Sequence, residues 1–171
     1  MKEQRRGGKI AMAVEERDAF LASERTCRVA SVGGDGAPHV TPLWFVWDGS
    51  ALWLTSIVRS QRWTDLQREP RISVVVDAGA DFMELRGVEI RGVAEPIGEV
   101  PRTGEPVEAL DVPERLYADK YAGGQVHHDG RHAWLSLVPD TITSWDFRKL
   151  RLFIQAGRPS VGLRAVNPGP A

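Results

Sequence analysis

The chain has a single cysteine, Cys27, so no intrachain disulfide is open to it, which fits a reducing, cytoplasmic setting. Nor does it have an apolar run near the ~20 residues that a membrane-spanning helix needs. The basic segment Met1 to Gly8 is followed by no apolar stretch, so no secretory signal is expected and no membrane partner either. Charge of either sign is not in surplus: 22 Lys and Arg stand against 23 Asp and Glu. Without a global field, nucleic acid is not an expected partner. The sequence also lacks a GxSxG elbow and an HExxH helix, which leaves a hydrolase reading without an anchor. Internal repeats are absent.

What is present is one sizeable domain. A chain of 171 residues buries roughly 70% of its unfolded surface and needs neither disulfides nor a structural metal. Residues 1–12 read as a flexible leader, 13–155 as the domain, and 156–171, rich in glycine and proline, as a loose tail.

Within the domain the pattern is mainly β. Val14 to Glu24 reads as a short helix with Phe20 and Leu21 on its buried side and Glu15 and Glu16 in its first turn. Thr26 to Val32 is a strand that ends in Gly33-Gly34-Asp35-Gly36, a hairpin turn rather than a phosphate loop, because a strand and not a helix follows. His39 to Trp47 is apolar on both faces, Asp48-Gly49 turns the chain, and Leu52 to Ser56 returns. A helix from Ser60 to Arg68 stops at Pro70. Strands follow at Arg71 to Asp77 and within Phe82 to Val100, where Val88, Ile90 and Ala94 alternate with Glu89, Arg91 and Glu95. Pro113 opens a helix to Tyr121, and two last strands, His132 to Val138 and Ile142 to Arg148, flank a turn at Pro139-Asp140. Closely spaced antiparallel hairpins with few helices indicate a six- to seven-stranded barrel and not a doubly wound sheet.

Chemistry concentrates in Leu54-Thr55-Ser56-Ile57-Val58-Arg59-Ser60-Gln61-Arg62-Trp63. A strand delivers the hydroxyls of Thr55 and Ser56, and a helix then begins at Ser60 with Arg59 and Arg62 beside its first turn. Free N–H groups at a helix start attract anions, and charge-assisted hydrogen bonds strengthen the hold. The competing reading is a solvated helix start whose arginines pair with Asp65 and Glu69. Arg62 is expected near solvent. A second element, Pro38-His39-Val40-Thr41-Pro42-Leu43-Trp44-Phe45, interrupts a strand ladder twice with proline, freeing backbone for a ligand ring. Cys27 alternates with core positions and reads as an inert small hydrophobe. Tyr117 and Tyr121, four apart, read as one packed helix face. The histidines His127, His128 and His132 fit a loop as well as a metal, and no metal is expected.

On these residues the sequence resembles the pyridoxamine 5′-phosphate oxidase-like split β-barrel superfamily, and within it the flavin and deazaflavin oxidoreductases of actinobacteria, B group. The likeness rests on Gly-Ala-Pro-His-Val-Thr-Pro-Leu-Trp-Phe at 36–45 and Arg-Ser-Gln-Arg-Trp at 59–63, then Glu69-Pro70-Arg71. Leu85-Arg86-Gly87-Val88, Gly92-Val93-Ala94-Glu95 and Ser144-Trp145-Asp146 complete it.

The resemblance implies a homodimer with cofactor sites at the subunit interface. It implies that Thr55, Ser56, Arg59, Ser60, Arg62 and Trp63 line the phosphate side, that Pro42, Leu43 and Trp44 back the ring system, and that Trp145 reaches a site from the partner chain. Family members often carry lysine where Arg62 stands. The expected cofactor is coenzyme F420, with FMN as the alternative. The implied activity is hydride transfer from the reduced deazaflavin to a small conjugated acceptor. The alternatives are an FMN-dependent oxidase or flavin reductase, and a non-catalytic carrier of flavin, deazaflavin or haem.

Overall fold

The computed structural model describes residues 7–150. Residues 1–6 of the expected leader, the tail 156–171 and the last five residues of the expected domain lie outside them. Helix α1 (Val14–Ser23) starts where the Glu16 carboxylate accepts the Ala13 N–H at 2.7 Å, and it buries Phe20 and Leu21. Seven strands follow: β1 (Cys27–Val32), β2 (Pro38–Leu43), β3 (Phe45–Trp47), β4 (Leu52–Ile57), β5 (Arg71–Ala78), β6 (Arg86–Ile97) and β7 (His132–Asp146). Helix α2 (Gln61–Arg68) joins β4 to β5, and α3 (Asp111–Tyr121) precedes β7.

All pairings are antiparallel, in the order β2-β1-β5-β6-β7-β4-β3. The two edge strands, β2 and β3, are neighbours in sequence across Trp44 yet share no ladder. The sheet therefore curls into a half-barrel that is split between them, the architecture of the split barrel.

Alternation along the strands sends one row inward: Val29, Val74, Val88, Ile90, Leu135, Leu137 and Leu54 are almost fully buried, capped by Phe20 and Leu21 of α1 and Trp63 and Leu66 of α2. The outer face of β3, β4 and β7 is covered as well. There Val46, Trp53 and Trp134 pack against Leu110, Tyr117 and Tyr121. This second layer makes β3 buried at all three positions.

Three expectations change. The strand expected over His39 to Trp47 breaks at Trp44, which is the seam of the barrel. The two strands expected at the C-terminal end are one 15-residue strand. Pro139-Asp140 is no turn: Gly92 faces Pro139 while Arg91 faces Thr141, so one residue is bulged out beside a proline that cannot donate to the ladder. Helix α3 begins at Asp111, two residues before Pro113. Pro113 still sits in the first turn, where N–H groups have no acceptor within the helix.

Candidate functional site

The seam opens into a cleft of about 360 Å³ lined by Thr26, Pro42, Leu43, Trp44, Thr55, Tyr117 and His132. Pro42 is tolerated because β2 is an edge strand, paired only with β1. Trp44 is 49% exposed, and its indole lies flat on the Tyr121 ring, centroids 4.6 Å apart and planes within 6°. Tyr121 is pinned in turn: its hydroxyl donates to the Phe45 carbonyl oxygen at 2.8 Å and accepts the Phe45 N–H at 3.2 Å. Phe45 is thus held on the seam, and Trp44 presents a rigid aromatic face to the cleft. Of the predicted site residues, Pro42, Leu43, Trp44 and Thr55 come together here.

Thr55 and Ser56 are consecutive on β4 and so point to opposite faces. Ser56 is fully buried, on the α2 side, where Arg62 donates to its Oγ at 3.1 Å and to Thr41 Oγ1 at 2.6 Å. Ser60 is the N-cap of α2, accepting the Trp63 N–H at 3.2 Å, and its Oγ lies 3.5 Å from Ser56 Oγ. Trp63 itself is packed in the core. Arg59 is exposed on the loop before α2.

Arg62 is 7% exposed, which corrects the expectation that it lies near solvent. Its stem crosses α2 towards β2 and β4 rather than running outward. Nor do the arginines use Asp65 and Glu69: Arg68 pairs with Asp65 at 3.0 Å and Arg71 with Glu69 at 2.7 Å. Among the described residues Arg62 has no carboxylate partner, and its Nε is buried without a hydrogen bond. Burial pushes its pKa below the ordinary value. A buried charge left unpaired is costly. Next to it, His39 Nδ1 and Asp65 Oδ2 are also buried without hydrogen bonds, 3.6 Å apart.

Trp145 stands elsewhere. Its indole covers Gly87 across the β6–β7 ladder, where an added Cβ would overlap the ring. It lines a groove on the outer face with Arg28, Ala30, Val40, Val75 and Arg86. Within one chain it does not meet the cleft.

Residues 13–146 match the family model of pyridoxamine 5′-phosphate oxidase. The chain belongs to that family. Among solved structures, a conserved hypothetical protein (Rv2991) from Mycobacterium tuberculosis is 31% identical, with a TM-score of 0.72 over 96% of this chain and all of that one. An F420 reductase is 23% identical, with a TM-score of 0.55 over 73% of this chain and 94% of that one. A FAD-binding protein from Mesorhizobium loti is 17% identical, with a TM-score of 0.58 over 78% of this chain and 93% of that one. The last two likenesses show the fold. No curated protein matches the chain. Among the described residues no helix is long and apolar enough to cross a membrane.

Behind the cleft this family member has a second space that sequence reasoning missed. Its wall is α3, the start of β7 and the loop between them. Glu114 is the hub. It accepts from Arg102 Nε at 2.8 Å and Trp134 Nε1 at 3.2 Å, and His128 Nε2 lies 3.2 Å away. Burial raises the pKa of Glu114, but the Arg102 and His128 contacts outweigh it and hold the carboxyl below its usual value. On the same loop Asp129 accepts from His132 Nδ1 at 2.6 Å and from the N–H groups of Arg131 and His132. Those hydrogen bonds overcome the opposing effect of burial and bring Asp129 down to about 2. The only signal for this space in the sequence was the cluster of histidines after Gly124.

Proposed function

We propose that the protein is an oxidoreductase that binds coenzyme F420 at the seam of the barrel and reduces a small conjugated acceptor, as in the actinobacterial B group. The observation that carries this reading is Arg62, a buried guanidinium with hydroxyls on two of its nitrogens and no carboxylate. A phosphodiester or phosphate would supply the missing charge. Arg62, Ser56, Ser60 and Thr41 would hold it, with Arg59 at the exposed edge. Pro42, Leu43 and Trp44 would back the ring system, and Thr55 faces the same cleft.

When bound, the reduced deazaflavin supplies a hydride. The chain's own part is to fix the ring against the rigid Trp44–Tyr121 stack, to bind the anionic tail and to exclude water from the acceptor. FMN, bound through the same residues, is the alternative cofactor. Retention of bound flavin colour through purification would favour it, and tight cofactor binding without turnover of any acceptor would favour a carrier.

The groove around Trp145 supports a homodimer. Val40, Ala30 and Val75 make it apolar, and Val40 is well exposed. A second chain on this face would bring its partner's Trp145 within reach of a site. Sedimentation of wild type and Val40→Glu tests this, with a dimer expected for the first and a monomer for the second. The cofactor reading is tested by titrating the purified chain with F420 and FMN. Selective F420 binding that is lost in Arg62→Ala supports it, and binding of neither removes it.

A further inference from the structure

Among the described residues, four buried side-chain atoms lack a hydrogen bond: Ser31 Oγ, His39 Nδ1, Arg62 Nε and Asp65 Oδ2. All four belong to α2 and to the β1–β2 hairpin that it packs against. Ser31 and His39 are opposite each other across that hairpin, and Arg62 and Asp65 share the buried side of α2, three residues apart. At that spacing an arginine and an aspartate are placed to pair, and burial strengthens the attraction. They do not pair here. Asp65 is fully buried, yet its Oδ1 accepts from Gln61 Nε2 at 2.8 Å and, at 3.0 Å, from Arg68, whose side chain is half exposed. Its Oδ2 stands 3.6 Å from His39 Nδ1. Arg68 has a seat that fixes it there. Its guanidinium lies against Gly34, so closely that a Cβ at that position would overlap it. The φ of Gly34 is not left-handed, so close approach rather than turn geometry calls for glycine there.

We propose that Arg68 is a positioning residue for the anion site: seated on Gly34, it holds the Asp65 carboxylate away from Arg62 and so leaves the Arg62 charge free for the cofactor's phosphate. The proposal rests on the cofactor reading above for the anion and on the geometry alone for the arrangement. Arg68 is not among the residues of the cleft, and the hydroxyls of Thr41 and Ser56 are taken by Arg62. It acts through Asp65. A buried carboxylate needs a cation or several donors. With Arg68 displaced, Asp65 keeps only the Gln61 amide, and the cation one helical turn back is Arg62. Turned to Asp65, Arg62 would leave Thr41 and Ser56 and meet the anion as half of a neutral pair. The glycine turn that ends β1 therefore belongs to the workings of the anion site, although it stands at the opposite end of β2 from Trp44.

The test uses Gly34→Ala, which removes no charge and strains no left-handed backbone; what the new Cβ meets is the far end of a flexible side chain. F420 and FMN are each titrated by fluorescence into the wild type, Gly34→Ala and the double variant Gly34→Ala with Asp65→Asn. Affinity for the cofactor that the wild type binds is expected to fall about tenfold in Gly34→Ala. It is expected to return to the wild-type value in the double variant, where an amide no longer competes for Arg62. Arg68→Met is expected to match Gly34→Ala. Urea unfolding without cofactor gives a second readout. Arg62→Met and Asp65→Asn are expected to act additively in the wild-type background and non-additively once Gly34 is alanine. Unchanged affinity in Gly34→Ala, or a loss that Asp65→Asn does not restore, overturns the positioning role. If the wild type binds neither cofactor, the cofactor reading fails and the unfolding cycles decide. Coupling confined to the Gly34→Ala background keeps Arg68 as the residue that holds the two charges apart, and additivity in both backgrounds removes it.

Discussion

Arg62 donates to the Thr41 hydroxyl at 2.6 Å, bridging α2 to the edge strand β2, and does so buried and without a carboxylate. The bridge therefore stores a charge that the unliganded fold does not neutralise. Arg62→Met keeps most of the stem and removes the charge. Its unliganded form is expected to unfold at a temperature no lower than the wild type, because replacing a buried unpaired charge by apolar volume is neutral or stabilising. Its cofactor affinity is expected to fall about 10- to 150-fold, the loss of one charge-assisted hydrogen bond. Thermal melts with and without cofactor measure both. A lower melting point with unchanged affinity would make Arg62 a structural residue instead.

Much of this was legible from residue order. The β-branched alternation over 71–77 and 88–94 became β5 and β6, and the glycines after Val32 became the β1–β2 turn, closed by the Gly33 N–H donating to Ala37 O at 2.8 Å. Pro42, Leu43 and Trp44 were expected together, but Thr55 was expected beside Ser56 on the phosphate side and instead lines the cleft with them. The break at Trp44 was not, because local apolarity is the same on either side of it and only closure of the sheet makes it a seam. The bulge at Pro139 was missed because a proline beside an aspartate has the local chemistry of a turn, and β6 decides otherwise through register. The division of Thr55 from Ser56 follows from strand period alone. The burial of Arg62 depends on contacts between residues far apart in the chain.

The Trp44–Tyr121 stack predicts a coupling between the cleft and α3. Trp44→Ala is expected to lower unfolding stability by about 0.5–1.5 kcal/mol, the worth of one aromatic pair beyond its buried area, and to weaken cofactor binding. Tyr121→Phe should cost more stability than cofactor affinity, since its hydroxyl serves the Phe45 and Arg25 backbone and not the cleft. Urea unfolding with a parallel fluorescence titration separates the two.

Cys27 is fully buried, and burial pushes its thiol from an ordinary 9.0 up to about 12. A thiol reagent such as Ellman's is therefore expected to label it only as the chain unfolds. The folded chain keeps that proton between pH 9 and about 12, where the unfolded chain has lost it, so this group's contribution to stability falls as pH rises through the interval. Cys27→Ala should unfold with a correspondingly smaller decline over the same range. Rapid labelling of the native protein would contradict the burial.

Gly87 lets the Trp145 indole lie across the β6–β7 ladder. Gly87→Ala is expected to displace that ring, which would appear as a shift in tryptophan emission. The dimer dissociation constant should rise with it if the Trp145 groove is the interface. Sedimentation and emission spectra together decide this, and a tight dimer with a displaced ring would place the interface elsewhere.

The most direct test of the account is the binding of coenzyme F420 and of FMN to wild-type and Arg62→Met protein, each followed by fluorescence to saturation. Selective binding of F420 by the wild type, at least tenfold weaker in Arg62→Met, is the predicted result. Equal affinity of the two proteins for either cofactor would contradict the claim that Arg62 is where the anion is held.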